Sequence, residues 1–218
     1  MKPDFHPPSP GCALPAEPPL IHIVDDDVSH LRSLSRLLRA SGFEVRIHDS
    51  AADFLAHLPA GEHGCVITDL MMPVMDGIAL QYALRDAGSP LPVVFLTGHG
   101  DVPVTVKAMK NGAEDFLTKT APKEDLIAAV NRALERNRLD RLENAELREK
   151  RKVFETLTER EMQILRLVLR GHLNKQMAAE LGIHERTVKL HRTHITTKLG
   201  VHSVAELSRL VQDARLEW

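Results

Sequence analysis

Apolar runs and amphipathic stretches alternate from residue 20 to about residue 137. The runs at 20–24, 43–47, 64–69, 91–97 and 114–118 have the length of strands, and 20–24 and 93–96 are apolar enough for burial on both faces. Between them, apolar positions recur at helical spacing over 28–41, 50–58, 76–87, 102–111 and 122–137. Gly42, Gly88 and Gly112 each follow such a stretch, as a left-handed helix end requires. This alternation predicts an α/β doubly wound fold, a five-stranded parallel sheet with helices on both faces.

The pattern then changes twice. Over 138–155, eleven of eighteen residues are charged, glycine and proline are missing, and leucines stand at 139, 142 and 147. This predicts an exposed helical linker that continues the fifth helix. A pairing helix is the alternative, with fewer than three heptads to support it. From 156 to 218 the spacing predicts four short helices in a small all-α domain. Thr158-Glu159-Arg160-Glu161 reads as a capping box opening a helix that ends at Gly171. Asn174 is expected to cap a second helix over 175–181, which Gly182 stops, and a third covers about 185–199 up to Gly200. Ser203-Val204-Ala205-Glu206 is another capping box, opening a last helix to about 214.

Composition narrows the class. At 218 residues and 43% apolar content the chain holds enough material for two cores. No apolar run approaches the roughly 18 residues that a membrane span needs, so no membrane role is expected. Residues 1–19 hold seven of the thirteen prolines and predict a disordered tail, not a signal peptide. Two cysteines, Cys12 and Cys65, cannot make a disulfide framework and suit a reducing cytoplasm. Residues 20–137 carry 16 Asp and Glu against 11 Lys and Arg, whereas 156–218 carry 7 against 10 with five histidines besides. An acidic first part and a basic second part suggest a cation-binding module joined to a polyanion-binding one.

The candidate chemistry lies at strand ends. Asp25 and Asp26 close the run 20–24, Asp69 closes 64–69, Thr97 closes 91–97, and Lys119 follows 114–118. Carboxyl ends of neighbouring parallel strands share one crevice, where such sheets place their ligand sites. Three crowded carboxylates repel one another unless a hard cation joins them, and Mg²⁺ meets that need. Asp69, central and followed by the Met72-Pro73 turn and Asp76-Gly77, is the nucleophile candidate. Thr97 can donate to a phosphoryl oxygen, and Lys119 can pair with the same group. Singly, each residue has an ordinary reading: Asp25-Asp26-Asp27 as helix caps, Phe116 as a core aromatic. Five such residues on four strand ends favour chemistry.

In the second part, two helices around Gly182-Ile183-His184 have helix-turn-helix spacing. Val188, His191, Ile195 and Leu199 would face the core, leaving Lys189, Arg192, Thr193 and Thr196 on the other side with Leu190 at its edge. That face suits a major groove, and Lys175, Thr187 and Lys198 are candidate phosphate contacts. A solvated helix surface is the plainer reading of the same stripe.

The motifs resemble a known family. Ile21-His22-Ile23-Val24-Asp25-Asp26-Asp27, Thr68-Asp69-Leu70-Met71-Met72-Pro73, Val94-Phe95-Leu96-Thr97-Gly98-His99 and Asp115-Phe116-Leu117-Thr118-Lys119 resemble a flavodoxin-like response-regulator receiver domain. Leu157-Thr158-Glu159-Arg160-Glu161, the stretch Gly171 to Ala178, and Glu185 to Leu199 resemble the LuxR-type helix-turn-helix. Together they resemble the NarL/FixJ-family regulators, the FixJ branch most closely. The resemblance implies that Asp69 accepts a phosphoryl group from a sensor histidine kinase. It implies further that Asp26 binds Mg²⁺ directly, Asp25 acts through water, the Met71 carbonyl completes the ligands, and Thr97 and Phe116 form a switch pair. The chain departs from the pattern at Thr120, where proline usually follows the lysine, and at His184, where a small hydroxyl residue usually caps the helix.

The resulting expectation is a cytoplasmic two-component response regulator with a receiver over 20–137, a linker over 138–155 and a DNA-binding domain over 156–218. It would act as a sequence-specific transcription regulator, an activator by resemblance, dimerising on promoter DNA through the last helix and engaging RNA polymerase. Two rivals stand beside it: an enzyme with Asp69 as a covalent nucleophile on a small substrate, and a DNA-binding protein whose receiver is a mere dimerisation scaffold.

Overall fold

A computed structural model describes residues 18–58, 63–98 and 102–216. The expected tail over 1–19, with Cys12, lies almost wholly outside the described residues, as does His99. The chain divides into two compact units, 1–140 and 141–218.

In the first unit, β1 (Leu20–Val24), β2 (Glu44–His48), β3 (Gly64–Thr68), β4 (Val93–Thr97) and β5 (Asp115–Thr118) form one sheet in the order β2-β1-β3-β4-β5. Every pairing is parallel, and Val24 stands beside His48 on one side and Thr68 on the other. The helices α1 (Val28–Ala40), α2 (Ala51–Ala56), α3 (Gly77–Asp86), α4 (Val102–Lys110) and α5 (Lys123–Glu155) connect and follow the strands.

Alternation along the strands sends side chains to two cores. Ile21, Ile23, Cys65, Ile67, Val94 and Leu96 pack with Leu31, Leu34 and Leu38 of α1 and Leu126, Ala129, Val130 and Ala133 of α5. Val24, Val66, Val93 and Phe95 pack on the other face with Phe54 of α2, Ile78, Leu80 and Leu84 of α3, and Ala108 of α4. Both faces are covered, as a parallel sheet demands. Two histidines join this interior. His22 Nδ1 lies 3.1 Å from His48 Nε2, and His48 Nδ1 lies 2.8 Å from Asp53 Oδ2. Burial first, then His48 and Arg46, hold the His22 imidazole down at about 4, so it is neutral in the folded chain near pH 7.

Expected element ends shift by a residue or two. Phe43 precedes β2 because its N–H closes α1 on the Leu38 carbonyl at 3.1 Å. Asp69 lies just past β3, although its N–H still reaches the Val24 carbonyl at 2.9 Å. Leu91 and Pro92 lie before β4. The charged stretch 138–155 is helical and continuous with α5, as its composition predicts.

The second unit contains α6 (Glu159–Leu169), α7 (Asn174–Leu181), α8 (Glu185–Leu199) and α9 (Val204–Asp213). Ile164, Leu165, Met177, Val188, Ile195, Leu207 and Val211 form its core, with Phe154. Thr158 and Glu161 make the expected capping box. The second expected box is half made: Ser203 accepts from Glu206 N–H, but the Glu206 carboxylate takes the His202 N–H, one residue earlier. Asn174 is not a cap. Leu173 takes the extended cap conformation, Gln176 accepts its N–H at 2.7 Å, and Asn174 is already helical. Its Oδ1 instead accepts from Arg192 Nη1 at 2.7 Å. His184 caps α8 without a side-chain bond, as expected of a residue lacking a hydroxyl.

Candidate functional site

Four adjacent strands deliver their ends to one edge of the sheet. Asp25 and Asp26 follow β1, Asp69 follows β3, Thr97 ends β4, and Lys119 follows β5. One carboxylate oxygen from each of Asp25, Asp26 and Asp69 lies within 4.8 Å of the others. Asp25, Asp69 and Thr97 are buried, whereas Asp26 is exposed.

Lys119 neutralises part of this charge. Its Nζ lies 2.6 Å from Asp25 Oδ2 and 2.8 Å from Asp69 Oδ2. Burial pulls its ammonium down, but the bonds to Asp25 and Asp69 outweigh that and raise its pKa above the usual lysine value. At Asp25 burial pushes the carboxyl up, while His30, Lys119 and the Asp27 N–H together hold it below the usual range. Lys119 is anchored on the main chain as well, its N–H donating to the Thr97 carbonyl at 2.7 Å. Among the described residues every peptide bond is trans, including Lys119–Thr120, as expected where proline is missing.

The carboxylates divide their work. Asp27 caps α1, accepting from the N–H groups of Ser29 and His30, so the helix-cap reading holds for it. Asp25 and Asp26 make no such cap and remain for the crevice. His30, absent from the sequence expectations, lies 2.7 Å from Asp25 Oδ2 through Nδ1. Its position four residues after Asp26, in the first turn of an amphipathic helix, was its only trace in the sequence.

The loop after Asp69 is shaped by close approach. Asp76 caps α3, and the Gly77 N–H donates to the Leu70 carbonyl at 2.9 Å. A Cβ on Gly77 would stand 2.3 Å from the Asp69 carbonyl oxygen and 3.0 Å from Phe95 Cε1, so only glycine fits beneath Asp69. Met71 N–H reaches Asp69 Oδ1 at 3.4 Å. Phe116 is half-buried, with its ring 5.8 Å from that of Phe95.

The donor set suits a small hard cation: three carboxylates carry more negative charge than one ammonium offsets, and every ligand atom is oxygen. Asp25, Asp26 and Asp69 could hold Mg²⁺ there. The same set has the chemistry to receive a phosphoryl group: a carboxylate at Asp69, an ammonium in contact with it, and a hydroxyl residue, Thr97, ending the neighbouring strand.

In the second unit, α7 and α8 flank Gly182, whose φ of 63° makes the turn between them. Val188, Ile195 and Leu199 are buried, and Lys175, Lys189, Leu190 and Thr193 are exposed. Thr187, Arg192 and Thr196 are half-buried. Lys189 pairs loosely with Glu185 at 3.3 Å. Lys198 is committed within the unit, with Nζ 2.6 Å from Glu161 Oε2 and 3.0 Å from the Thr156 carbonyl. The Lys198 bond foremost, against burial and with help from Thr158, holds the Glu161 carboxyl down at about 2. In the last helix Leu207 and Val211 serve the unit's own core, while Val204 is exposed.

Comparison with known proteins agrees with both halves. Residues 21–131 match the response regulator receiver domain, and residues 155–211 match the luxR family of bacterial regulatory proteins. The response regulator protein TodT of Pseudomonas putida is 42% identical over 193 residues, covering 88% of this chain and 85% of TodT. The transcriptional regulatory protein FixJ of Rhizobium meliloti is 40% identical over 190 residues, covering 87% of this chain and 93% of FixJ. Among solved structures, response regulator StyR aligns with a TM-score of 0.67 at 44% identity, covering 90% of this chain and 99% of StyR. Full-length FixJ from B. japonicum aligns with a TM-score of 0.55 at 36% identity, covering 91% and 98%.

Proposed function

This chain belongs to the bacterial response regulators that join a receiver domain to a LuxR-type DNA-binding domain, and from that premise we propose that phosphorylation of Asp69 controls its grip on promoter DNA. It is a transcription regulator and not a conventional enzyme. The boundaries we assign are 20–137 for the receiver, 138–155 for the linker and 156–218 for the DNA-binding domain.

The phosphoryl donor is a sensor histidine kinase. An Asp69 carboxylate oxygen attacks phosphorus, the bond to the kinase imidazole breaks, and that ring leaves with its electron pair. Asp25, Asp26 and Asp69, with the Met71 carbonyl, would hold Mg²⁺, which offsets the charge that accumulates as two anions meet. Lys119 exchanges its Asp69 contact for a phosphoryl oxygen, and the Thr97 hydroxyl donates to another. Drawing Thr97 inward frees space against Phe116, which repacks and alters the surface of α4 and β5.

The altered surface favours a homodimer, and two α8 helices enter successive major grooves. Lys189, Leu190, Arg192, Thr193 and Thr196 face base edges, and Lys175 and Thr187 touch phosphates. Lys198 reaches a phosphate only by loosening its bond to Glu161. The regulator acts in the cytoplasm as an activator, through RNA polymerase.

The observation that carries this reading is the Asp25, Asp26 and Asp69 cluster with Lys119 bridging two of its carboxylates. Intact-mass analysis after incubation with acetyl phosphate and Mg²⁺ tests it. A gain of one phosphoryl group, mapped to Asp69, is the expected result. No gain would favour the scaffold reading, and steady turnover of small phosphomonoesters would favour the enzyme.

A further inference from the structure

A second group of ligating side chains lies in the DNA-binding unit, apart from the phosphoryl chemistry. Glu161 of α6 and His191 and His194 of α8 each bring one ligand atom within 4.8 Å of the others. The two histidines are three residues apart on one helix and so project from neighbouring points of one face. Glu161 meets them from the opposite helix, with Oε1 3.7 Å from His194 Nδ1. His191 Nδ1 is buried without a hydrogen-bond partner, a condition that ordinarily costs stability. His194 has 51% of its side chain exposed, which opens the group to solvent.

We propose that Glu161, His191 and His194 form a binding site for a divalent transition-metal ion, with Zn²⁺ the best match. Two imidazole nitrogens and one carboxylate oxygen are a zinc donor set, and a water can fill the fourth position. Mg²⁺ and Ca²⁺ prefer all-oxygen sites, so the two metal-binding groups of this chain select different ions. Zinc bonds of about 2.0–2.2 Å require the ligand atoms to draw together. The exposed His194 can make most of that adjustment by changing rotamer, while buried Glu161 stays in place.

Charge sets the strength of this site. Lys198 Nζ and the N–H and hydroxyl of Thr158 all engage Oε2 of Glu161, which leaves Oε1 on the side of His194. Lys198 Nζ, 2.6 Å from Oε2, repels an incoming cation. The ion therefore uses Oε1 while Lys198 keeps Oε2, and the neighbouring ammonium weakens binding. When bound, the ion ties α8 to α6 on the side opposite Lys189 and Thr193.

Calorimetric titration of the full chain with ZnCl₂, under saturating Mg²⁺ to occupy the acidic cluster, tests the site. Wild-type protein is expected to bind one Zn²⁺ in the micromolar range, and CoCl₂ in its place should give the visible absorption of a tetrahedral cobalt centre. His194→Ala, an exposed substitution that leaves the core intact, should weaken Zn²⁺ by about tenfold or more and remove the cobalt band. His191→Gln should do the same. Zinc binding of equal strength in wild type and His194→Ala would overturn the proposal, as would no binding by wild type at about 100 µM metal.

Discussion

Lys119 Nζ stands 2.8 Å from Asp69 Oδ2, so the candidate phosphoacceptor meets its countercharge before any phosphoryl group arrives. The same ammonium touches Asp25 at 2.6 Å. One cation thus holds together two buried carboxylates that follow strands β1 and β3, and the crevice is built around that bridge.

Removing the bridge leaves those carboxylates facing each other in a buried setting. Lys119→Met is expected to lose about 1–3 kcal/mol of stability without divalent metal, since an unpaired buried charge is costly. Mg²⁺ should restore much of that loss and should stabilise the variant more than the wild type. Urea unfolding with and without Mg²⁺ measures both. Equal metal effects in the two proteins would show that Lys119 and the ion do not serve the same carboxylates.

Gly77 is the packing residue beneath Asp69. Gly77→Ala forces a Cβ to within 2.3 Å of the Asp69 carbonyl oxygen, so the backbone must shift. A cost of about 1–3 kcal/mol is expected from overpacking. Labelling of Asp69 by acetyl phosphate should slow more than stability alone explains, because the displaced backbone carries the nucleophile. Melting temperature and labelling rate, read on the same sample, separate the two.

The Glu161–Lys198 pair gives the DNA-binding unit an acid limit. The Glu161 carboxyl lies at about 2 in the folded chain against 4.5 ordinarily, chiefly through Lys198. A depressed carboxyl stabilises the fold fully above its ordinary value and loses that contribution as pH falls towards the folded one. Wild type should therefore exceed Glu161→Gln in stability at pH 6, and the gap should narrow from about pH 4.5 down to about pH 2. Urea midpoints across that range check the sign; a gap that widens on acidification would contradict it.

Lys189 and Lys198 lie on one helix and carry the same charge, yet they should behave differently. Lys189 is exposed with only a loose partner, so Lys189→Ala should weaken promoter binding by about fivefold or more with little change in melting. Lys198 is bound to buried Glu161, so Lys198→Ala should lower the melting temperature first. Gel shift and thermal melting of both variants decide the point.

Much of this was legible in residue order alone. Apolar runs such as Val93–Thr97 announce buried strands, because a parallel sheet covered on both faces tolerates little else. Acidic residues closing those runs announce the crevice, because topology brings strand ends together. Pairing between distant side chains was not legible. Lys119 reaches Asp25 across 94 positions, and Lys198 reaches Glu161 across 37; residue order places Lys119 at the crevice and Lys198 on a helix without naming either partner. The His22–His48 contact was hidden for a related reason, since one histidine inside an expected strand and another just past the next reveal nothing of strand register until β1 and β2 pair. Asn174 misled because its residue type suits a cap, whereas the backbone places the cap at Leu173 and Arg192 claims the amide.

The most direct measurement follows promoter affinity and Asp69 labelling together, in wild type and Asp69→Asn, with acetyl phosphate and Mg²⁺. Wild-type protein should gain one phosphoryl group and bind its promoter about tenfold or more tightly, an energy difference of about 1.4 kcal/mol. Asp69→Asn should gain neither. Tightening of Asp69→Asn to the same degree as wild type would contradict the account.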